Sequence, residues 1–122
     1  MPGHYLKPPT YSYYQIPTGI GGVHFEWAFH GRPRSSFGVE LHFEKGSAEF
    51  NKSRLAKVEK MKSKIEHETG EKVIFQQEWG KSWSRLYIEK NEVRMTNELK
   101  DWAVKVIKNL IDILQPELDS IK

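Results

Sequence analysis

The stretch GVHFEWAFHGRPRSSFGVELHFEKG, residues 22–46, decides the fold, because apolar and polar residues alternate on both sides of a turn-like centre. Alternation with a period of two is typical of β-strands that bury one face. Gly31 and Pro33 favour a turn between the two halves, so the stretch predicts an antiparallel hairpin. The face predicted to be buried consists of Val23, Phe25, Trp27 and Phe29 from the first strand and Phe37, Val39, Leu41 and Phe43 from the second.

The register of this hairpin decides which polar side chains become neighbours. A turn centred on Pro33 keeps both apolar sets on the same face of the hairpin. In this register His24 lies opposite His42, and Glu26 lies opposite Glu40. Residues that face each other across two strands have Cβ atoms about 4.5–5.5 Å apart. A shift of two residues would separate the four side chains, and the sequence does not decide between these registers.

The polar residues of the hairpin admit two interpretations. The imidazoles of His24 and His42 can share zinc, manganese or another divalent metal with nearby carboxylates. The carboxylates predicted at this spacing are those of Glu26 and Glu40. Under the other interpretation the four residues belong to the polar outer face of a sheet, which contacts water or a partner and forms salt bridges from Arg85. Since any sheet with one exposed face needs such residues, we expect the second interpretation over the first.

The rest of the chain predicts two helices and three more strands. The predicted elements are a strand at 11–16, a helix from Ser47 to about Gly70, strands at 72–79 and 82–90, and a helix from about Thr96 to Gln115 that Pro116 ends or kinks. The order β-β-β-α-β-β-α indicates an α+β fold, with an antiparallel sheet of about five strands and two helices on one face. We expect an irregular N-terminal arm at 1–10 and a single domain at 11–122.

Composition narrows the class of protein. A chain of 122 residues most simply forms one domain. The sequence contains no cysteine, which excludes disulfides, thiolate catalysis and cysteine-ligated zinc. Apolar runs of the length of a signal peptide or a membrane span are absent, so we expect a cytoplasmic protein without membrane contact. The motifs of zinc proteases, phosphate-binding loops and nucleophile elbows are also absent, so no catalytic residue is predicted and a non-catalytic role is favoured.

Two groups of residues are candidates for contact with nucleic acid or a partner protein. The formal net charge is +3, and the predicted helix at 52–64 is rich in Lys and Arg, with one acid, Glu59. Basic helical faces attract phosphate backbones, although such residues also serve as the solvated face of a helix. Aromatic residues beside arginine can stack on bases or contact a protein partner. The candidate contacts are Lys57, Lys60 and Lys64 on the helix and Trp83, Arg85 and Tyr87 on the last strand.

Three segments also resemble a known family. FGVELHFE, KVIFQQEWGKSWSRLYIEK and DWAVKVIKNLIDILQPEL are similar to an uncharacterised bacterial and archaeal domain that often occurs C-terminal to restriction-endonuclease-like nuclease domains. The shared pattern is Val39-Glu40-Leu41 in a strand, Trp79 with Ser84-Arg85-Leu86 in a hairpin, and Trp102 with Leu114 and Pro116 in the last helix. The resemblance covers about residues 22–119. It implies a prokaryotic protein associated with DNA processing or defence, and it supplies no catalytic residues.

These observations lead to one expected function and two alternatives. We expect a non-catalytic accessory module without a cofactor, which binds nucleic acid or a nuclease-type partner. The first alternative is a metal-dependent hydrolase or metal-binding protein that uses His24, Glu26, Glu40 and His42 with zinc or manganese. The second alternative is a structural protein that associates with itself through the open face of the sheet.

Overall fold

The computed structural model describes residues 13–121, which form five strands and three helices. The strands are β1 (Tyr13–Pro17), β2 (Val23–His30), β3 (Ser36–Phe43), β4 (Ile74–Trp79) and β5 (Trp83–Lys90). The helices are α1 (Ala48–Glu59), α2 (Lys62–Thr69) and α3 (Asn97–Ile121). The predicted α+β class and the predicted order of elements are confirmed. The arm predicted at 1–10 lies outside the described residues.

The strands form a single antiparallel sheet in the order β1-β2-β3-β5-β4. Consecutive strands are neighbours except that β5 lies between β3 and β4. Because β3 and β4 are both antiparallel to β5, they run in the same direction, and α1 and α2 make the crossover between them. This arrangement places β3 at the centre of the sheet, with paired strands on both sides.

The hairpin of β2 and β3 has the register centred on Pro33, which is one of the registers that the sequence left open. Val23 pairs with Phe43, His24 with His42, and Glu26 with Glu40, as a turn centred on Pro33 requires. All apolar side chains of the pair therefore point to one face of the sheet. The fully buried residues of this face include Phe25, Trp27, Phe37, Val39, Leu41 and Phe43.

The helices cover the apolar face of the sheet. Helix α1 contacts β3, β4 and β5, while α3 contacts β2 and β3 and also packs against both other helices. Leu55 and Val58 of α1 and Leu110 and Leu114 of α3 are fully buried between the layers. In the described part of the chain, none of the helices combines the length and apolar composition needed to cross a membrane.

The helices differ from the prediction at two places. The predicted helix from Ser47 to Gly70 is divided at Lys60 and Met61 into α1 and α2. The two helices have different main contacts, since α1 packs on β4 and β5 as well as on α3, whereas α2 packs mainly on α3. The last helix continues through Pro116 to Ile121, and its final turn buries Leu118 as part of the core.

Replacing Leu41 with alanine tests the position of the core. Leu41 lies in the middle of the central strand, and its side chain is 0% exposed. We expect Leu41→Ala to lower the free energy of unfolding by about 2–5 kcal/mol, because the surrounding residues close the resulting cavity only in part. Urea denaturation measures this loss.

The control for this variant is Val93→Ala, since Val93 is 47% exposed. We expect this control to change the free energy of unfolding by less than about 0.5 kcal/mol. Equal small losses in both variants would contradict the assignment of Leu41 to the core.

Candidate functional site

The outer face of the sheet, which points away from the helices, is polar but is not solvated at its centre. Glu40 and His42 are each 1% exposed, although both belong to the outward parity of β3. Side chains from the neighbouring strands cover them. The ring of Trp79 lies 4.5 Å from the ring of His42, between centroids. The outer face was expected to contact water or a partner, and at this position side chains of the chain itself cover it.

The carboxylate of Glu40 is the centre of the hydrogen bonds on this face. Its Oε1 accepts hydrogen bonds from Nε2 of His42, at 2.5 Å, and from Nη1 of Arg85, at 3.0 Å. Its Oε2 accepts a hydrogen bond from Nε2 of His30. Burial raises the pKa of Glu40, but the hydrogen bonds from His30 and His42 and their charges outweigh it and lower the pKa to about 2. Glu40 is therefore an ionised acceptor at neutral pH.

Arg85 is held in a fixed orientation beside Glu40. In addition to the contact with Glu40, its Nε donates to Oε1 of Gln76 at 2.7 Å. Its guanidinium lies 4.5 Å from the ring centroid of Trp79 and 4.6 Å from that of Tyr87. Stacking between two aromatic rings restricts a guanidinium that a carboxylate already orients. The predicted salt bridge from Arg85 to a nearby glutamate is present here.

Gly38 provides the space in which the side chains of His30 and Glu40 meet. A Cβ atom at position 38 would lie 2.6 Å from Cε1 of His30 and would also overlap Oε2 of Glu40. Glycine inside a strand commonly marks such a close approach. The glycine in the middle of β3 was the one available sequence signal for this contact.

His30 connects Glu40 to the edge of the cluster. Its Nδ1 lies 3.0 Å from Oε2 of Glu89, and the hydroxyl of Ser36 donates to the same oxygen at 2.6 Å. The hydrogen bond to Glu40 is the main reason that the pKa of His30 is raised above 6.5. The hydrogen bond from Ser36 lowers the pKa of Glu89. His30 and Glu89 were not among the predicted site residues.

The second ring nitrogen of His42 faces a group of possible metal ligands. Its Nδ1 lies 2.9 Å from Oε2 of Glu44 and 3.8 Å from Oε1 of Glu26. The same oxygen of Glu26 lies 3.0 Å from Nε2 of His24 and accepts a hydrogen bond from Gln15 at 3.1 Å. Ligand atoms of His24, His42 and Glu44 all lie within 4.8 Å of one another. We call these three residues and Glu26 the His/Glu cluster.

The separations in the His/Glu cluster suit a four-coordinate metal. Zinc binds nitrogen and oxygen at about 2.0–2.1 Å, so neighbouring ligand atoms of a tetrahedral site lie about 3.3 Å apart. The three observed separations are 2.9, 3.0 and 3.8 Å and lie on both sides of that value. Burial lowers the pKa of His42, but the hydrogen bond to Glu40 and the nearby carboxylates outweigh it and raise the pKa overall. The raised pKa favours the protonated ring, so the groups of the cluster that attract a cation are the carboxylates of Glu26 and Glu44.

The four residues predicted as metal ligands are neighbours in the structure, but they do not all lie on the same side of the His42 ring. His24 and Glu26 lie on the Nδ1 side of His42, whereas Glu40 contacts its Nε2. Glu26, Glu40 and His42 nevertheless form a second group whose ligand atoms lie within 4.8 Å of one another. Glu44 takes the place on the Nδ1 side that the sequence interpretation gave to Glu40. The sequence could have indicated Glu44, because it follows His42 by two residues and so continues the same side of the alternation just beyond the end of β3.

The residues predicted to contact nucleic acid lie on opposite sides of the molecule. The basic group, Lys57, Lys60 and Lys64, belongs to the segment from α1 to α2, and Lys60 pairs with Glu117 at 3.1 Å. The other group, Trp83, Arg85 and Tyr87, lies on the outer face of β5. The two groups therefore do not form one surface, and nucleic-acid binding by either group stays a prediction.

The fold and the site together define a class of protein. It is an α+β domain whose helices cover one face of an antiparallel sheet and whose other face holds histidines and carboxylates around a buried Glu40. The chain belongs to the family described as Domain of unknown function (DUF4268), whose sequence profile matches residues 3–119. This match confirms the resemblance at the level of a domain of unknown function, while the association with nucleases stays a prediction. No curated protein and no solved structure matches the chain.

Replacing Gly38 with alanine tests the contact between His30 and Glu40. The added methyl group occupies the space of both side-chain ends, which must then move apart. We expect the pKa of His30 in the metal-free protein to fall from its raised value towards 6.5, because the hydrogen bond to Glu40 is the main cause of the shift. Titration of the imidazole resonances by NMR in the presence of a chelator measures the change.

Gly21→Ala is the matched control for this substitution. A Cβ atom at Gly21 meets nothing closer than Nζ of Lys45, at 3.5 Å, which is an ordinary contact. We expect this control to leave the titration of His30 unchanged. An identical titration curve for His30 in the wild type and in Gly38→Ala would show that the contact does not depend on the glycine.

Proposed function

We propose that the chain is a metal-binding module that holds one zinc ion in the His/Glu cluster. Nδ1 of His42, Nε2 of His24, Oε2 of Glu44 and Oε1 of Glu26 are the ligands. The single observation that carries the proposal is the convergence of His24, His42 and Glu44, whose ligand atoms lie within 4.8 Å of one another. This convergence depends on the hairpin register, which places His24 directly opposite His42.

The contact between Glu40 and His42 supports a metal ligand at Nδ1. Because Glu40 is ionised, Nε2 of His42 donates to it and carries the proton. The neutral form of an imidazole with its proton on Nε2 offers the lone pair of Nδ1 to a metal. Histidine ligands in metal sites commonly donate their other nitrogen to a carboxylate in this way. Arg85 in turn fixes Glu40, so two side chains orient this one ligand.

The ligand types favour zinc over magnesium and calcium. Two imidazoles with carboxylates suit zinc, whereas magnesium and calcium prefer oxygen ligands only. With Glu26 as a fourth ligand beside the three converging residues, the tetrahedral site would be closed, as is typical of structural zinc rather than of hydrolases. The site therefore supports a binding role, in agreement with the absence of the sequence motifs of zinc proteases and nucleophile elbows.

Solvent reaches the site from one side. The side chains of His24 and Glu44 are 16% and 21% exposed, whereas that of His42 is 1% exposed, so an ion would enter past His24 and Glu44 and rest against the buried ring. The ion also offsets the charges of Glu26 and Glu44, for which the described residues provide only histidines and Gln15 as polar contacts. A bound metal would thus give Glu26 and Glu44 a partner of opposite charge, which the protein alone provides only in part.

Calorimetric titration with zinc tests the proposed function directly. We expect about one zinc ion per chain, and we expect zinc at about 100 times its dissociation constant to raise the free energy of unfolding by about 2.7 kcal/mol. His24→Ala removes a ligand from the more exposed side of the site. We expect it to weaken zinc binding by at least about 10-fold, since even indirect partners of a metal have effects of that size.

His67→Ala is the matched control, because His67 lies on α2, away from the sheet. We expect this control to bind zinc like the wild type. Protein that binds no zinc, or that loses zinc equally in both variants, contradicts the proposal. Manganese in place of zinc in the same titration would correct the choice of metal but not the site.

A further inference from the structure

We propose that the cleft between β1 and the C-terminal half of α3 binds an extended basic peptide of a partner protein. In this arrangement the peptide adds as a further strand at the free edge of β1 and directs lysine or arginine side chains to Asp112 and Asp119. The cleft lies on the helix side of the sheet, so the proposal does not depend on the metal site of the outer face.

The cleft has a volume of about 520 Å³ and lies beside the flank of α3. Helix α3 packs over β2 and β3, so the edge strand β1 lies beyond the part of the sheet that this helix covers. The surface of the resulting gap is largely apolar. It is formed by Ile16 and Pro17 of β1, Phe25 of β2, and Ile111 and Pro116 of α3. Such a surface suits the apolar part of a ligand.

The polar groups that remain available in the cleft are hydrogen-bond acceptors. The polar residues of the lining are Asp112, Gln115 and Asp119. The amide nitrogen of Gln115 already donates to the carbonyl oxygen of Thr18 at 2.8 Å and to Oδ1 of Asp119 at 3.0 Å. Pro116 has no N–H group, so the carbonyl oxygen of Asp112 also lacks its helical donor. A ligand of this cleft must therefore supply the donors.

The charge of the lining specifies a cationic ligand. Asp112 and Asp119 are both exposed, and the lining contains no basic residue. Within residues 13–121 neither carboxylate forms an ion pair. An aliphatic chain that ends in a positive charge matches an apolar surface with an acidic rim. Lysine and arginine side chains have this form.

The free edge of β1 favours a peptide over a small amine. Among the described strands β1 pairs only with β2, so its other edge offers main-chain N–H and C=O groups. A peptide that pairs with such an edge presents alternate side chains to the same face of the sheet.

The spacing of the two carboxylates suits two basic residues of one strand. Asp112 and Asp119 are separated by two turns of α3, which correspond to about 10 Å along the helix axis. Basic residues at the first and fifth positions of an extended segment lie about 13 Å apart on the same face. The flexible side chains of lysine and arginine accommodate this small difference.

Fluorescence anisotropy with a labelled peptide of about seven residues tests the proposal. In this peptide threonine alternates with lysine, leucine and lysine in turn, so both lysines lie on the same face as the leucine. The measurement uses the full chain at low salt in the presence of a chelator. We expect binding that weakens as the salt concentration rises, because the contacts join opposite charges. The same peptide with glutamate in place of lysine should not bind.

The double variant Asp112→Asn/Asp119→Asn removes both charges with little change of shape. We expect it to weaken binding of the lysine peptide by about 5-fold or more. The control is Glu49→Gln/Glu59→Gln, which removes two exposed carboxylates from α1. We expect this control to change the affinity by less than about 2-fold. Circular dichroism and urea denaturation establish that both variants are folded.

Methylation of the main chain of the peptide separates strand addition from capture of the side chains alone. One peptide carries methyl groups on the main-chain nitrogens of its threonines, and another carries them on those of lysine and leucine. Only alternate N–H groups of an added strand face the neighbouring strand. We therefore expect one of these peptides to lose binding and the other to retain it.

Four results overturn the proposal. The first is a lysine peptide that does not bind at low salt. The second is an equal loss of affinity in Glu49→Gln/Glu59→Gln, which reduces the effect to the overall charge of the protein. The third is equal binding of both methylated peptides together with displacement by butylamine at the same concentration, which assigns the cleft to a small amine. The fourth is displacement of the peptide by zinc, which moves the peptide to the His/Glu cluster.

Discussion

The rest of the outer face depends on the burial of one carboxylate, that of Glu40. An ionised carboxylate without partners is too costly to bury, so the protein must surround it with donors. His30, His42 and Arg85 supply those donors from three different strands, and Gly38 leaves the space in which they meet. Once the donors are in place, the free nitrogen of His42 can point in one direction only, which is towards Glu44 and Glu26.

The same hairpin determines both the core and the site. Its apolar parity forms the centre of the core under the helices, and its polar parity carries the His/Glu cluster and Glu40. A slip of one residue would move Glu40 and His42 into the core and Leu41 to the outside. The free energy gained by burying the apolar residues of the hairpin therefore also stabilises the register in which His24 lies opposite His42. This coupling explains how a small domain keeps an accurately placed group of polar side chains on an otherwise open face.

Sequence reasoning predicted the local features of the structure and missed those that arise between distant strands. The alternation around Pro33 predicted the hairpin and the face that each side chain takes, because the two strands follow each other directly, but it left the register open between alternatives two residues apart. The burial of the outer face was missed, since Trp79 and Arg85 reach Glu40 and His42 from strands that lie about forty residues further along the chain. Glu44 was not predicted as a ligand, because it lies past the strand end, where alternation is no longer obligatory.

A crystal structure of the zinc-treated protein, measured with anomalous scattering at the zinc absorption edge, tests the central claim most directly. The account predicts one anomalous peak per chain at about 2.0–2.1 Å from Nδ1 of His42 and Nε2 of His24. Nε2 of His42 should remain hydrogen-bonded to Glu40. The account is contradicted if the map shows no peak at the His/Glu cluster, or a peak on the Nε2 side of His42 with Glu40 as its ligand.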